Sequence, residues 1–200
     1  MPDRVPFIGL TGGLGAGKSE ALRALEELGA AVLSTDAAVH DLLASDEVRD
    51  LVVARLGAKV APGGEVDRSL VAERVFADDE SRIWLERTLW PRVGQRMADW
   101  RAALERADPP PRAAVVEVPL LFESDMAAVF DRTIAVVADE AVRAERAGGR
   151  AHAAVAERTG RQLSQREKSQ RADFTVHNDG TLADLKASLS RVLGKIEASQ

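Results

Sequence analysis

The sequence predicts an α/β fold with a mainly parallel five-stranded sheet, and three observations carry that prediction. Short apolar runs recur without polar alternation, helical periodicity fills the intervals between them, and the first run enters a helix through a glycine-rich turn. Strands of that composition are buried on both faces, so helices must cover the sheet from either side. A chain of 200 residues can bury such a core in one domain, with room for an inserted subdomain.

Val5 to Leu10 is the first apolar run, and it ends in a turn rich in glycine. Lys18 to Leu28 then sets Ala21, Leu22, Leu25 and Leu28 at helical spacing, and Gly29 closes that helix. Ala31 to Ser34 is a second strand, followed by Asp36 as the N-cap of a helix reaching Leu43. From Val48 to Ala107 the pattern is helical, with breaks expected at Ala61-Pro62-Gly63-Gly64 and at Pro91. Ala113 to Val118 and Thr133 to Ala138 read as two buried strands, the first bordered by Asp108-Pro109-Pro110-Pro111 and by Pro119. Phe174 to His177 is the last strand, and beyond Asn178-Asp179-Gly180 the residues Leu182, Leu185, Leu189, Val192 and Leu193 stripe one face of a closing helix. In a sheet of this kind the glycine loop, Ser34 to Asp36 and Pro119 to Glu123 all follow strand ends, where α/β folds bind ligands.

The absence of cysteine removes disulfides, thiolate nucleophiles and cysteine-held zinc, and it fits a reducing compartment. The amino-terminal MPDRVPFIGL has the pattern of neither a signal peptide nor a membrane span, so the expected location is cytoplasmic. A formal charge of -5 argues against nucleic acid and anionic membranes as partners, because binding to either rests on summed positive charge. His40, His152 and His177 lack metal-ligand spacing, and Trp84, Trp90 and Trp100 read as packing residues. The sequence does not specify an oligomeric state.

The chemistry begins in GLTGGLGAGKS, residues 9 to 19, where Gly12 to Ser19 fits G-x-x-x-x-G-K-[ST] between a strand and a helix. Glycines let backbone amides turn inward onto phosphate oxygens, and the helix start adds partial positive charge. Lys18 would reach the β and γ phosphates and the Ser19 hydroxyl would ligate magnesium. The chain has no N-K-x-D or D-x-x-G segment, which disfavours a GTPase, and the third strand ends in Glu117 where a motor-type ATPase would show an aspartate. Asp36 has two open readings: a base that takes the proton of an acceptor hydroxyl, or a helix N-cap. Arg146 and Arg150, spaced i,i+4 with Arg143 nearby, could close over a transferring phosphate or form a solvated face with Glu145.

Over most of its length the chain resembles the dephospho-coenzyme A kinase family. The likeness rests on GLTGGLGAGKS, Ser34-Thr35-Asp36, Val75-Phe76, Leu89-Trp90-Pro91, VPLLFE at Val118 to Glu123, Arg146 and Arg150, Arg158 with Gln162, and Ala172-Asp173 with Asn178 and Gly180. The resemblance implies a three-layer α/β/α phosphate-loop kinase core, with a helical acceptor-binding insertion at about 45–107 and a helical lid at about 139–171 of a single domain. It implies transfer of the γ phosphate of ATP, with Mg2+, to the ribose 3′-hydroxyl of dephospho-CoA. ATP would then lie on Gly13, Leu14, Gly15, Ala16, Gly17, Lys18, Ser19 and Glu20, with Asn178 and Gly180 near the adenine. Asp36 matches the catalytic base and would touch the acceptor, Arg146 and Arg150 match the lid arginines, and Pro119, Leu120, Leu121, Phe122, Glu123, Arg158 and Gln162 would line the dephospho-CoA site. The chain departs from the family pattern at Ser34, where an aspartate is usual, and at Trp90, where a histidine is usual. Two other functions stay open on the residues alone: another small-molecule or nucleotide kinase, and a nucleotide-binding regulatory protein with little turnover.

Overall fold

The first apolar run folds as β1 (Phe7–Gly12), a strand buried at every position, in a computed structural model that describes residues 4–147 and 162–199. With it stand β2 (Ala31–Ser34), β3 (Ala114–Glu117), β4 (Arg132–Val137) and β5 (Phe174–His177), in the spatial order β2-β3-β1-β4-β5 and parallel at every pairing. The register sets Leu10 opposite Glu117 on one side and Ile134 on the other, and Ser34 opposite Glu117. Parallel pairing puts the carboxyl ends of all five strands along one edge. Because the chain leaves β1 towards β2 on one side while β4 and β5 continue on the other, the loop after β1 lies where strand order reverses.

α1 (Lys18–Glu27) and α8 (Leu182–Glu197) pack together over one face of the sheet, burying Leu25, Leu185, Leu189 and Leu193 against Ile8, Val115, Ile134 and Val136. Leu189 has no exposed surface. Leu189→Ala is therefore expected to cost about 2–5 kcal/mol, from lost transfer energy plus a residual cavity, read as a lower denaturant midpoint at unchanged slope. At the other end of β1 the Phe7 and Phe130 rings stack at 4.7 Å, and the Arg101 guanidinium sits 4.5 Å from the Phe7 ring. The Asp173 carboxylate accepts from the backbone N–H and the hydroxyl of Thr133, each at 2.7 Å, and so ties the start of β5 to β4.

The described residues divide into two compact units, one running through Ser34 and resuming at Arg101, the other Thr35–Trp100. The second contains α2 (Thr35–Ala44), α3 (Asp46–Leu56), α4 (Arg68–Phe76) and most of α5 (Asp79–Leu104). Short 3-10 turns at Ala58–Val60 and Pro62–Gly64 stand where the proline and glycines predicted a break. Pro91 does not break the helix: α5 runs through it, with Leu89, Val93 and Met97 buried along one face. Proline removes one backbone donor, the one that would reach the Arg87 carbonyl, and the helix continues with its buried face intact. Thr88 donates its hydroxyl to the Trp84 carbonyl at 2.8 Å and Arg92 its guanidinium to the Thr88 carbonyl at 2.7 Å. The expected N-cap at Asp36 is also corrected, because α2 starts at Thr35 directly out of β2 and Asp36 lies in its first turn.

α6 (Glu140–Ala147) and α7 (Gln165–Arg171) complete the described helices of the first unit. α7 and α8 both start in capping boxes, Ser164 with Glu167 and Thr181 with Asp184, in which each carboxylate accepts from the cap hydroxyl and backbone N–H. Those hydrogen bonds hold the Glu167 and Asp184 carboxyls below the usual carboxylate range, and the Arg112 side chain does the same to Glu197. A folded-state pKa below the unfolded one gives stability that is complete above the unfolded value and is lost as pH falls through the folded one. Thermal melts are thus expected to lose a modest amount of stability as pH falls below about pH 4, because these groups are exposed and screened, with a smaller acid loss in Thr181→Ala. Among the described residues no helix is long and apolar enough to cross a membrane.

Candidate phosphate-binding site

Between β1 and α1 the chain makes a tight loop closed by the Ala16 N–H on the Gly13 carbonyl at 3.2 Å and by the Ala21 N–H on the Gly17 carbonyl at 3.0 Å. Gly17 occupies the left-handed region at φ 89° and delivers the chain into α1 with Lys18 as its first residue. A Cβ at Gly17 would strike the Asn178 amide, so glycine is required there both for its dihedral and for space. Gly15, at φ 75°, is in the same position: a Cβ would come within 2.7 Å of the Arg143 carbonyl. The loop thus sets the start of a helix at the edge where the strands end.

Residues remote in sequence hold that loop in shape. Buried Asn178 takes its own N–H to the Val137 carbonyl at 2.8 Å and donates its side-chain amide to the Ala16 carbonyl at 3.0 Å. Arg143 Nε donates to the Leu14 carbonyl at 2.9 Å, and Arg146 Nη1 to the Asn178 carbonyl at 3.1 Å. Gln165 brackets the end of β4, accepting from the Ala138 N–H at 3.0 Å and donating to the Ala138 carbonyl at 2.8 Å. Lys18 Nζ folds back over the loop, donating to the Gly12 and Gly13 carbonyls at 3.1 and 3.3 Å.

Of the residues singled out in the sequence, Gly13 to Glu20, Asn178 and Arg146 are brought together around this loop, Ser19 with its side chain exposed in the first turn of α1. Gly180 is exposed, two residues beyond Asn178. Asp36 is exposed in the first turn of α2, in the helical unit. Arg150 and Arg158 lie outside the described residues. In the segment after β3, Pro119 and Leu120 are half-buried, whereas Leu121 is fully buried and Phe122 nearly so, and Gln162 is half-buried. Glu123 turns inward: its Oε1 accepts from Lys168 Nζ and from the Leu163 N–H at 2.9 and 2.8 Å.

Sequence reasoning gave Arg143 as a neighbour of Arg146 that could take its place in the lid, and it missed Gln165 and Lys168. Gln165 and Lys168 lie in QREKSQR, a helix without an apolar stripe, so nothing local distinguishes them from solvated side chains. Lys168 has no exposed surface, and burial pushes its ammonium below the ordinary lysine range, against the opposing pull of Glu123.

A family model described as dephospho-CoA kinase (CoaE) matches residues 6–184. A dephospho-CoA kinase of Protochlamydia amoebophila is 40% identical over 195 residues, covering 95% of this chain and 96% of that one. A dephospho-CoA kinase of Deinococcus radiodurans is 37% identical over 194 residues, covering 95% of this chain and 92% of that one. Among solved structures, TT1252 from Thermus thermophilus superimposes with a TM-score of 0.80 at 30% identity, covering 97% of this chain and 99% of that one.

Proposed function

The chain belongs to the dephospho-CoA kinase family, and on that premise we propose how its own residues carry the ATP-dependent phosphorylation of dephospho-CoA in coenzyme A biosynthesis. The ribose 3′-hydroxyl of the acceptor attacks the γ phosphorus of ATP. The new O–P bond forms as the bond to the β-phosphate oxygen breaks, ADP leaves, and the hydroxyl proton passes to the Asp36 carboxylate. The single observation that carries this reading is the loop from Gly12 to Lys18, which left-handed Gly17 turns directly into the start of α1 at one point beyond the end of β1. Such a point suits the phosphates of a nucleoside triphosphate.

Lys18 Nζ would exchange the Gly12 and Gly13 carbonyls for β and γ phosphate oxygens, a charge-assisted gain over neutral acceptors. Arg146 and Arg150 are proposed to neutralise the transferring phosphoryl group. Arg143, already bonded to the Leu14 carbonyl, is proposed to join them. Asn178 and Gly180 are proposed beside the adenine. For the acceptor, Pro119 and Leu120 keep exposed surface and are the parts of VPLLFE suited to contact it, with Arg158 and Gln162. Leu121 and Phe122 are buried and support the segment from within.

The donor set fits Mg2+. That ion takes few protein oxygens and completes its shell with water and phosphate, and the exposed Ser19 hydroxyl offers one such oxygen at the start of α1. Among the described residues no group of three or more acidic or imidazole side chains could build an all-protein cage. When bound, the ion draws charge from the phosphate oxygens. We place the enzyme in the cytoplasm, a reading supported by a chain free of cysteine.

The test is release of ADP from ATP and Mg2+ with dephospho-CoA added last. ADP formation that depends on dephospho-CoA and yields coenzyme A is the expected result. A protein that binds ATP and makes no coenzyme A would overturn the reading.

A further inference from the structure

The Lys168 ammonium is fully buried, and its three N–H donors have three acceptors: the Pro119 carbonyl at 2.5 Å, Glu123 Oε1 at 2.9 Å and the Thr11 hydroxyl at 3.4 Å. Thr11 in turn donates that hydroxyl to the same Pro119 carbonyl at 3.2 Å. These partners have distinct places in the chain. Thr11 lies in β1 immediately before the phosphate loop, while Pro119 and Glu123 bound the segment after β3. One side chain therefore fastens both ends of that segment to the strand that feeds the loop. The bonds described above from Asn178, Arg143 and Lys18 to the phosphate loop run to carbonyls that Lys168 does not share.

We propose that Lys168 is a positioning residue for the acceptor substrate, holding the Pro119–Glu123 segment so that Pro119 and Leu120 are set for dephospho-CoA while the ATP loop is shaped independently. The proposal rests on the dephospho-CoA kinase reading above. The state of Glu123 makes the segment dependent on this lysine. Among the described residues its Oε2 is buried with no hydrogen-bond partner, and the carboxylate is held through Oε1. Without the ammonium, an uncompensated buried charge remains, and the segment must open to hydrate it.

Steady-state ADP release, with ATP and dephospho-CoA varied in turn, tests this in wild type, Lys168→Met, Lys168→Arg and the double variant Lys168→Met/Glu123→Gln. Lys168→Met is expected to raise the KM for dephospho-CoA by about tenfold or more, with the KM for ATP changed by less than about threefold. The double variant, which leaves no unpaired charge, is expected to recover most of the acceptor KM. Lys168→Arg keeps the charge in a poorer shape and is expected to give a smaller rise, again selective for the acceptor. Equal shifts in both KM values, an unchanged acceptor KM beside a lowered melting temperature, or a double variant no better than the single would overturn the proposal. If Lys168→Met does not fold, Lys168→Arg decides alone: an acceptor-selective rise supports the proposal, and an equal or absent shift overturns it. A wild type that releases no ADP with dephospho-CoA would overturn the functional reading and this proposal together, whereas a wild type that turns over isolates the lysine.

Discussion

Asp36→Asn is expected to lower kcat by about a hundred- to ten-thousand-fold while leaving ATP affinity within a few-fold. The amide has nearly the volume of the carboxylate, and position 36 is exposed in the first turn of α2, so the helix should form as before. What is lost is the group proposed to accept a proton as the 3′-hydroxyl becomes a phosphate ester. The nucleotide's phosphates are assigned to the loop from Gly12 to Ser19, a separate stretch of chain, so binding and turnover should part company. Nucleotide titration followed by single-turnover ADP formation reads the two quantities separately. An Asp36→Asn protein with turnover near wild type would remove the residue from the base role. A protein that lost ATP binding and turnover equally would point to a folding defect instead.

Gly17→Ala is expected to reduce kcat/KM for ATP by about a hundredfold or more, through geometry alone. Alanine at φ 89° carries a conformational penalty of about 1–2 kcal/mol. Its Cβ would also displace the Asn178 amide, which now holds the Ala16 carbonyl at 3.0 Å. Both changes act on the turn that aims Lys18 and the first amides of α1. Relieving only the clash, in Gly17→Ala with Asn178→Gly, should recover little, because the dihedral penalty and the lost Asn178 bond persist. Isothermal titration with ATP and Mg2+ checks binding directly, and near-normal affinity in Gly17→Ala would show that the turn tolerates a side chain.

Much of the sheet was legible because its strands are short, continuous and apolar. β2 and β5 occupy the expected residues, and β3 and β4 differ from expectation by about one residue at their ends, the usual uncertainty of element boundaries. β1 was expected to stop at Leu10, where apolarity stops, yet its ladder continues through Thr11 and Gly12 opposite Ala135 and Val136. Hydrogen-bond pairing with a distant strand sets that end, and hydropathy does not register it. Pro91 misleads in the opposite direction. A local helix breaker is overridden by a buried face at Leu89, Val93 and Met97. Asp36 looked like a cap because aspartate before a helical pattern usually is one, whereas here the helix begins one residue earlier.

The phosphate loop was legible in the sequence itself, because the pattern that marks it lies within a few residues: closely spaced glycines, a strand ending before them and a helix starting at Lys18. Which side chains brace and surround that loop was decided only by the tertiary structure. Arg143 reaches Leu14 across 129 positions, Asn178 reaches Ala16 across 162, and Lys168 reaches Thr11 across 157. No local pattern records such pairs. Turn geometry follows from the dihedral preferences of neighbouring residues, whereas the burial of a lysine or the inward turn of Glu123 depends on which distant strands and helices the closed sheet places beside it.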